Sequence, residues 1–131
     1  MQNLRVLVVD DSDDDTALLL RTLQRAGFCV TAQRVQTREG MLAALDASEW
    51  DIVFVDWILP QFSAPDAIRI LRGRKATTPC IVISGVAPPD VAVLAIQLGA
   101  NDFIPKANLE AVPTAVQREL MFGETRKECK G

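Results

Sequence analysis

The sequence predicts an α/β fold, a doubly wound five-stranded parallel sheet with helices on both faces. Two observations carry this. Five short apolar runs alternate with five segments of helical spacing along 131 residues. Three of those runs, the first, third and fourth, are almost continuous in Val, Ile, Leu or Phe. That composition suits strands buried on both faces, as in a parallel sheet, better than strands with one wet face.

The elements follow in order. Arg5–Val9 is the first strand, and it stops at an acidic cluster, Asp10, Asp11, Asp13, Asp14 and Asp15. Thr16 to Ala26 carries Leu18, Leu19, Leu20 and Leu23 and ends at Gly27, a good helix terminator. Phe28–Val35 is the second strand and belongs at an edge. Thr37 to Ala47 carries Met41, Leu42 and Leu45, with Thr37 as its N-cap. Ile52–Val55 is the third strand and runs into Asp56. Pro65 to Gly73 is helical through Ile68, Ile70 and Leu71. Cys80–Ser84 is the fourth strand, Pro89 to Leu98 a helix closed by Gly99, and Asp102–Pro105 the fifth strand. Leu109 to Phe122 completes the series. The domain is expected over residues 1–122. The remainder, 123–131 ("GETRKECKG"), reads as a polar, frayed tail or the start of a linker.

The totals narrow the chemistry. The length allows one domain with a real core, and 49% apolar with 24% charged residues is ordinary for a soluble protein. No apolar stretch is long enough for a membrane span, and no basic-then-apolar leader opens the chain, so a cytoplasmic location is expected. A net charge of −3, without a Lys/Arg stripe, argues against nucleic-acid binding. Cys29, Cys80 and Cys129 lack zinc-site spacing and read as reduced thiols, the first two packed as small hydrophobes. The chain contains no histidine. That excludes His-based nucleophile triads, His-ligated metals and any phosphohistidine of its own.

In an open parallel sheet, ligands bind beyond the carboxyl ends of the strands. Asp10 and Asp11 follow the first strand, Asp56 ends the third, Ser84 ends the fourth and Lys106 follows the fifth. The second strand offers nothing comparable. Three carboxylates together call for a hard cation, Mg²⁺ or Mn²⁺. A Lys and a hydroxyl facing them suit a phosphoryl group, whose transfer depends on positioning and charge stabilisation. One carboxylate would then be the nucleophile, forming an acyl phosphate. The acids Asp13 to Asp15 have a plainer role at a helix N-terminus, where they meet the positive end of its dipole. A calcium loop fails on spacing, since its sixth position holds Thr16 and its twelfth Thr22.

Asp10-Asp11, Asp56, Ser84 and Lys106, in this order and at these strand ends, resemble the receiver domains of two-component response regulators over roughly residues 4–122. The resemblance implies the flavodoxin-like receiver fold with strand order 2-1-3-4-5. It implies a phosphoacceptor at Asp56 in "DIVFVDWILP". It implies Mg²⁺ (or Mn²⁺) held by Asp10, Asp11, Asp56 and the backbone carbonyl of Ile58. Ser84 and Lys106 would contact the phosphoryl group. Phe103 in "NDFIPK" matches the switch aromatic, which turns inward as Ser84 moves and remodels the face around the fourth helix and fifth strand. The donor would be a phosphohistidine on a sensor histidine kinase or phosphotransfer protein. The output would be a downstream protein or a fused sensor or output module. Like its family, the chain would not be an enzyme beyond assisting its own phosphorylation and dephosphorylation.

The sequence departs from the family in two places. Ala107 stands where Pro usually follows the Lys, which disfavours a cis bond there. Ala64 replaces a usual Gly, and Pro60 is retained. Ile58 and Val86 are apolar at the two positions that influence hydrolysis, so they either lengthen the life of the acyl phosphate or simply cover the sheet. The fourth helix, "DVAVLAIQLG", is apolar nearly all round. It offers a partner or homodimer surface, unless its small residues merely tolerate water. Two other functions compete with the receiver. One is a constitutive interaction module that keeps the fold and ignores phosphate. The other is an Asp-nucleophile phosphatase or mutase, but Asp56-Trp57-Ile58 lacks the second acid such enzymes need.

Overall fold

Alternation of apolar residues places each strand's side chains on two faces, and helices cover both. A computed structural model describes residues 2–75, 77–85 and 89–130, with side chains described as far as 121. The strands are β1 (Gln2–Val9), β2 (Phe28–Val35), β3 (Ile52–Asp56), β4 (Cys80–Ser84) and β5 (Asp102–Pro105). All pair in parallel, in the order β2-β1-β3-β4-β5. The helices are α1 (Asp13–Arg25), α2 (Arg38–Ala47), α3 (Ala64–Arg74), α4 (Pro89–Leu98) and α5 (Val112–Lys130). The α/β class, the parallel sheet and the strand order are those expected.

Two core clusters sandwich the sheet. Leu7, Val9, Val53, Val55 and Val82 point toward α2 and α3, with Ala95 of α4 at the margin. Val6, Val8, Ile52, Phe54, Ile81 and Ile83 point toward α1 and α5. Every residue of β3 and β4 is buried, which is why those runs lack polar alternation. β2 lies at the edge and exposes Thr31, Ala32 and Gln33.

Several boundaries differ from expectation for identifiable reasons. α1 starts at Asp13 rather than Thr16, because Ser12 is its N-cap and its Oγ accepts the N–H of Asp15 at 3.2 Å. α3 starts at Ala64 because Ser63 caps it in the same way through Asp66 N–H at 3.1 Å. Thr37 caps α2 as expected, accepting from Gly40 N–H at 3.0 Å. β1 begins at Gln2, since the whole of β2 supplies pairing partners for it. After β5 the chain forms a 3-10 turn over Lys106–Ala111, with Asn108 non-helical, before α5 begins at Val112. α5 continues past Phe122 to Lys130. No peptide bond among the described residues is cis, so Lys106–Ala107 is trans. Cys80 is fully buried, and burial pushes its thiol up to about 12. Cys29 is exposed on the edge strand, against the expectation that it packs inside. Among the described residues no helix is long and apolar enough to cross a membrane.

Candidate functional site

The strand order reverses between β1 and β3, and the crevice at their carboxyl ends holds the site. Asp10 follows β1 and is 5% exposed, while Asp56 closes β3 and is 6% exposed. Asp11 lies beside them in the open. Carboxylate oxygens of Asp10, Asp11 and Asp56 come within 4.8 Å of one another. Three oxygens at that separation fit a single hard cation, and two of the three are held by local backbone. Asp10 Oδ1 accepts the Ser12 N–H at 3.0 Å, and Asp56 Oδ1 accepts the Ile58 N–H at 3.1 Å.

Lys106 enters from the far end of β5. Its Nζ lies 2.9 Å from Asp56 Oδ2, 2.5 Å from Asp15 Oδ2 and 3.9 Å from Asp10 Oδ2. Burial alone would lower the pKa of this ammonium. The hydrogen bonds Lys106 donates to Asp15 and Asp56, with the field of Asp56 and Asp10, outweigh it and hold Lys106 above the usual Lys range. Asp10 is pushed up to about 6, first by desolvation and then by the charge of Asp56, against the opposing Ser12 hydrogen bond and Lys106. A cavity of about 210 Å³ opens over these groups, floored by Val8, Phe54 and Ile83 and walled by Leu18, Leu19 and Leu109.

Ser84 is fully buried at the end of β4, in register with Pro105 of β5. Phe103, also on β5, is partly buried against the cluster on the α2–α3 face. Ile58 leaves its side chain 57% exposed at the exit from β3. Val86 lies outside the described residues. On α4, Ala95 is buried while Val93, Leu94 and Ile96 are exposed, at 58%, 42% and 48%. The apolar excess of that helix is therefore at the surface.

Three residues had no local signal, two beside the site and one, Arg72, at the opposite end of the sheet. Asp15, assigned from sequence to the helix dipole alone, also pairs with Lys106. Arg34 corrects the view that the second strand contributes nothing. Its Nη1 donates to the Asp10 carbonyl at 3.1 Å and its Nε lies 2.6 Å from Asp13 Oδ1, so it clamps the β1–α1 turn. Arg72 ties α3 to the approach to β5, donating to Gly99 O at 2.9 Å, Thr78 O at 2.6 Å and Asn101 Oδ1 at 2.7 Å. Gly99 has φ of +119°, and a Cβ there would meet the Arg72 side chain at 3.1 Å, so glycine serves both the turn and the contact.

Comparisons with known proteins show the family and the fold. Residues 6–117 match the family described as the response regulator receiver domain. The chain is 31% identical over 115 residues to the sensory/regulatory protein RpfC of Xanthomonas campestris, covering 85% of this chain and 16% of that protein. It is 28% identical over 128 residues to the regulatory protein AtoC of Escherichia coli, covering 96% of this chain and 27% of that one. The chain thus spans less than a third of the length of these curated relatives. Among solved structures, NtrX from Brucella abortus superposes with a TM-score of 0.87 at 26% identity, over 99% of this chain and 30% of that one. The signal receiver domain of a LuxO repressor protein from Vibrio parahaemolyticus superposes with a TM-score of 0.84 at 25% identity, over 98% of both chains.

Proposed function

The chain belongs to the response regulator receiver domain family, and from that premise we propose that Asp56 accepts a phosphoryl group in a Mg²⁺-dependent reaction. The donor is a phosphohistidine on a sensor histidine kinase or phosphotransfer protein. The observation that carries this reading is the meeting of Asp10, Asp11 and Asp56 within 4.8 Å, with the Lys106 ammonium 2.9 Å from Asp56.

Receiver domains bind Mg²⁺ at an acidic pocket of this kind. Asp10, Asp11 and Asp56 would hold it here, with the Ile58 carbonyl as a further ligand. The ion, when bound, offsets charge on the transferring phosphoryl oxygens. The Ile58 N–H engages Asp56 Oδ1 and leaves Oδ2 facing Lys106 and the cavity. Oδ2 attacks phosphorus as the donor's N–P bond breaks, and the imidazole leaves with that electron pair. Lys106 and Ser84 then bind phosphoryl oxygens. Phe103 follows Ser84 inward, and the surface around α4 and β5 changes its population of states.

Exposed Val93, Leu94 and Ile96 on α4 fit a downstream partner or a second copy meeting that surface. Ile58, and Val86 beside it in the family pattern, would slow hydrolysis by excluding water. Residues 1–122 would form the signalling domain, with 123–131 as a tail or the start of a connection to a fused module, in the cytoplasm.

The test is incubation with Mg²⁺ and acetyl phosphate. The expected result is a base-labile, acid-stable phosphoryl mass gain that Asp56→Asn abolishes. No gain, with small donors or with candidate kinases, would refute the proposal in favour of a constitutive binding module.

A further inference from the structure

Asp15 has no place in the reaction above, yet it makes the shortest contact of Lys106. It is not needed for capping α1, because Ser12 Oγ accepts its backbone N–H and leaves its carboxylate free. Asp13 in the same turn faces Arg34 instead. The acids of that turn are thus divided between cations from two different strand exits. Asp15 reaches a residue 91 positions along the chain.

We propose that Asp15 is the counter-ion that governs Lys106, a positioning residue that competes with any occupant of the Asp56 pocket for the ammonium. For its phosphoryl arm this rests on the receiver reading; for its metal arm it does not. Lys106 Nζ has three N–H donors, and Asp15 and Asp56 approach it from α1 and β3. A divalent cation among Asp10, Asp11 and Asp56 repels the ammonium. Asp15 then offers Lys106 a partner away from the metal. A phosphoryl group on Asp56 needs the same ammonium, and there Asp15 is a rival. One carboxylate therefore favours the cation and opposes the anion. A residue serving only the helix dipole would not couple to Lys106 at all.

A double-mutant cycle tests this with Asp15→Asn, Lys106→Met and the double variant. Mg²⁺ affinity is read by tryptophan fluorescence without phosphodonor, since Trp57 adjoins Asp56. Uptake from acetyl phosphate at saturating Mg²⁺ is read by intact mass. Asp15→Asn should weaken Mg²⁺ binding by about three- to tenfold and speed phosphoryl uptake by a similar factor, the effect of one unit charge at close range. With Lys106→Met in place, both effects should shrink below about twofold. Changes of the same sign in both measurements, or full effects without Lys106, would overturn the proposal. If the wild type takes up no phosphate but the Mg²⁺ coupling is present, the receiver chemistry fails and control of Lys106 by Asp15 stands. If the wild type is phosphorylated and no coupling appears in either measurement, the Asp15 proposal fails alone.

Discussion

The raised pKa of Asp10 makes the metal-free site a source of instability whose size can be measured. Its carboxyl moves from 3.8 to about 6 on folding. Between those values the unfolded chain has released a proton that the folded chain keeps. The folded state therefore binds more protons, and stability falls as pH rises from about 4 to about 6. Roughly two units at 1.36 kcal/mol each amount to about 3 kcal/mol at neutral pH. Asp10→Asn removes the charge but keeps the oxygen that accepts the Ser12 N–H. In urea unfolding with chelator present, Asp10→Asn should exceed wild type by about 3 kcal/mol near neutrality. At about pH 5 that advantage should be clearly smaller, because the wild-type carboxyl is then largely protonated. Titrating groups away from the site are common to both proteins and cancel in the difference. Saturating Mg²⁺ should reverse the order, stabilising wild type by mass action and the variant much less. A constant gap between the two proteins across this pH range would refute the reasoning, since the instability would then not come from ionising Asp10.

Two further outcomes follow from residues outside the acid cluster. Arg72→Ala removes three close hydrogen bonds and takes this donor from the Gly99 and Thr78 carbonyls, while Asn101 Oδ1 keeps the Cys80 N–H. It should cost about 2–3 kcal/mol in urea unfolding, and a loss under about 0.5 kcal/mol would show that solvent replaces the guanidinium. Ile58→Asn puts a polar group at the mouth of the site and should speed loss of the acyl phosphate about tenfold, about 1.4 kcal/mol in the barrier. An unchanged lifetime, followed by mass, would leave Ile58 as simple cover for the sheet.

What the sequence made legible was whatever obeyed a local or a topological rule. Unbroken apolar runs at β3 and β4 announced strands buried on both faces, and they are. The carboxyl-end rule then gathered Asp10, Asp56, Ser84 and Lys106, though they stand far apart in the chain. The Ser12 and Ser63 caps were readable too, as a hydroxyl three residues before an acid, but hydrophobic spacing drew the helix starts later. Asp15, Arg34 and Arg72 were not readable. Their partners lie 91, 24 and 29 residues away. Whether the side chains meet depends on how a helix or an edge strand seats against the sheet, not on any spacing.

That division bears on how the site works. The residues that obey the topological rule carry the family's chemistry, and a parallel sheet of this order fixes them together. Two of the residues that escape it, Asp15 and Arg34, place charge beside them. Lys106 shows why this matters. With Asp15 and Asp56 both within hydrogen-bonding distance, its ammonium is shared between the acid that would become phosphorylated and one that would not. Inside a cavity walled by Leu18, Leu19 and Leu109, such sharing is screened less than at an open surface. A receiver can then change its readiness for metal and for phosphate without altering any residue that binds either. In this chain the position with that leverage is Asp15, in the first turn of α1.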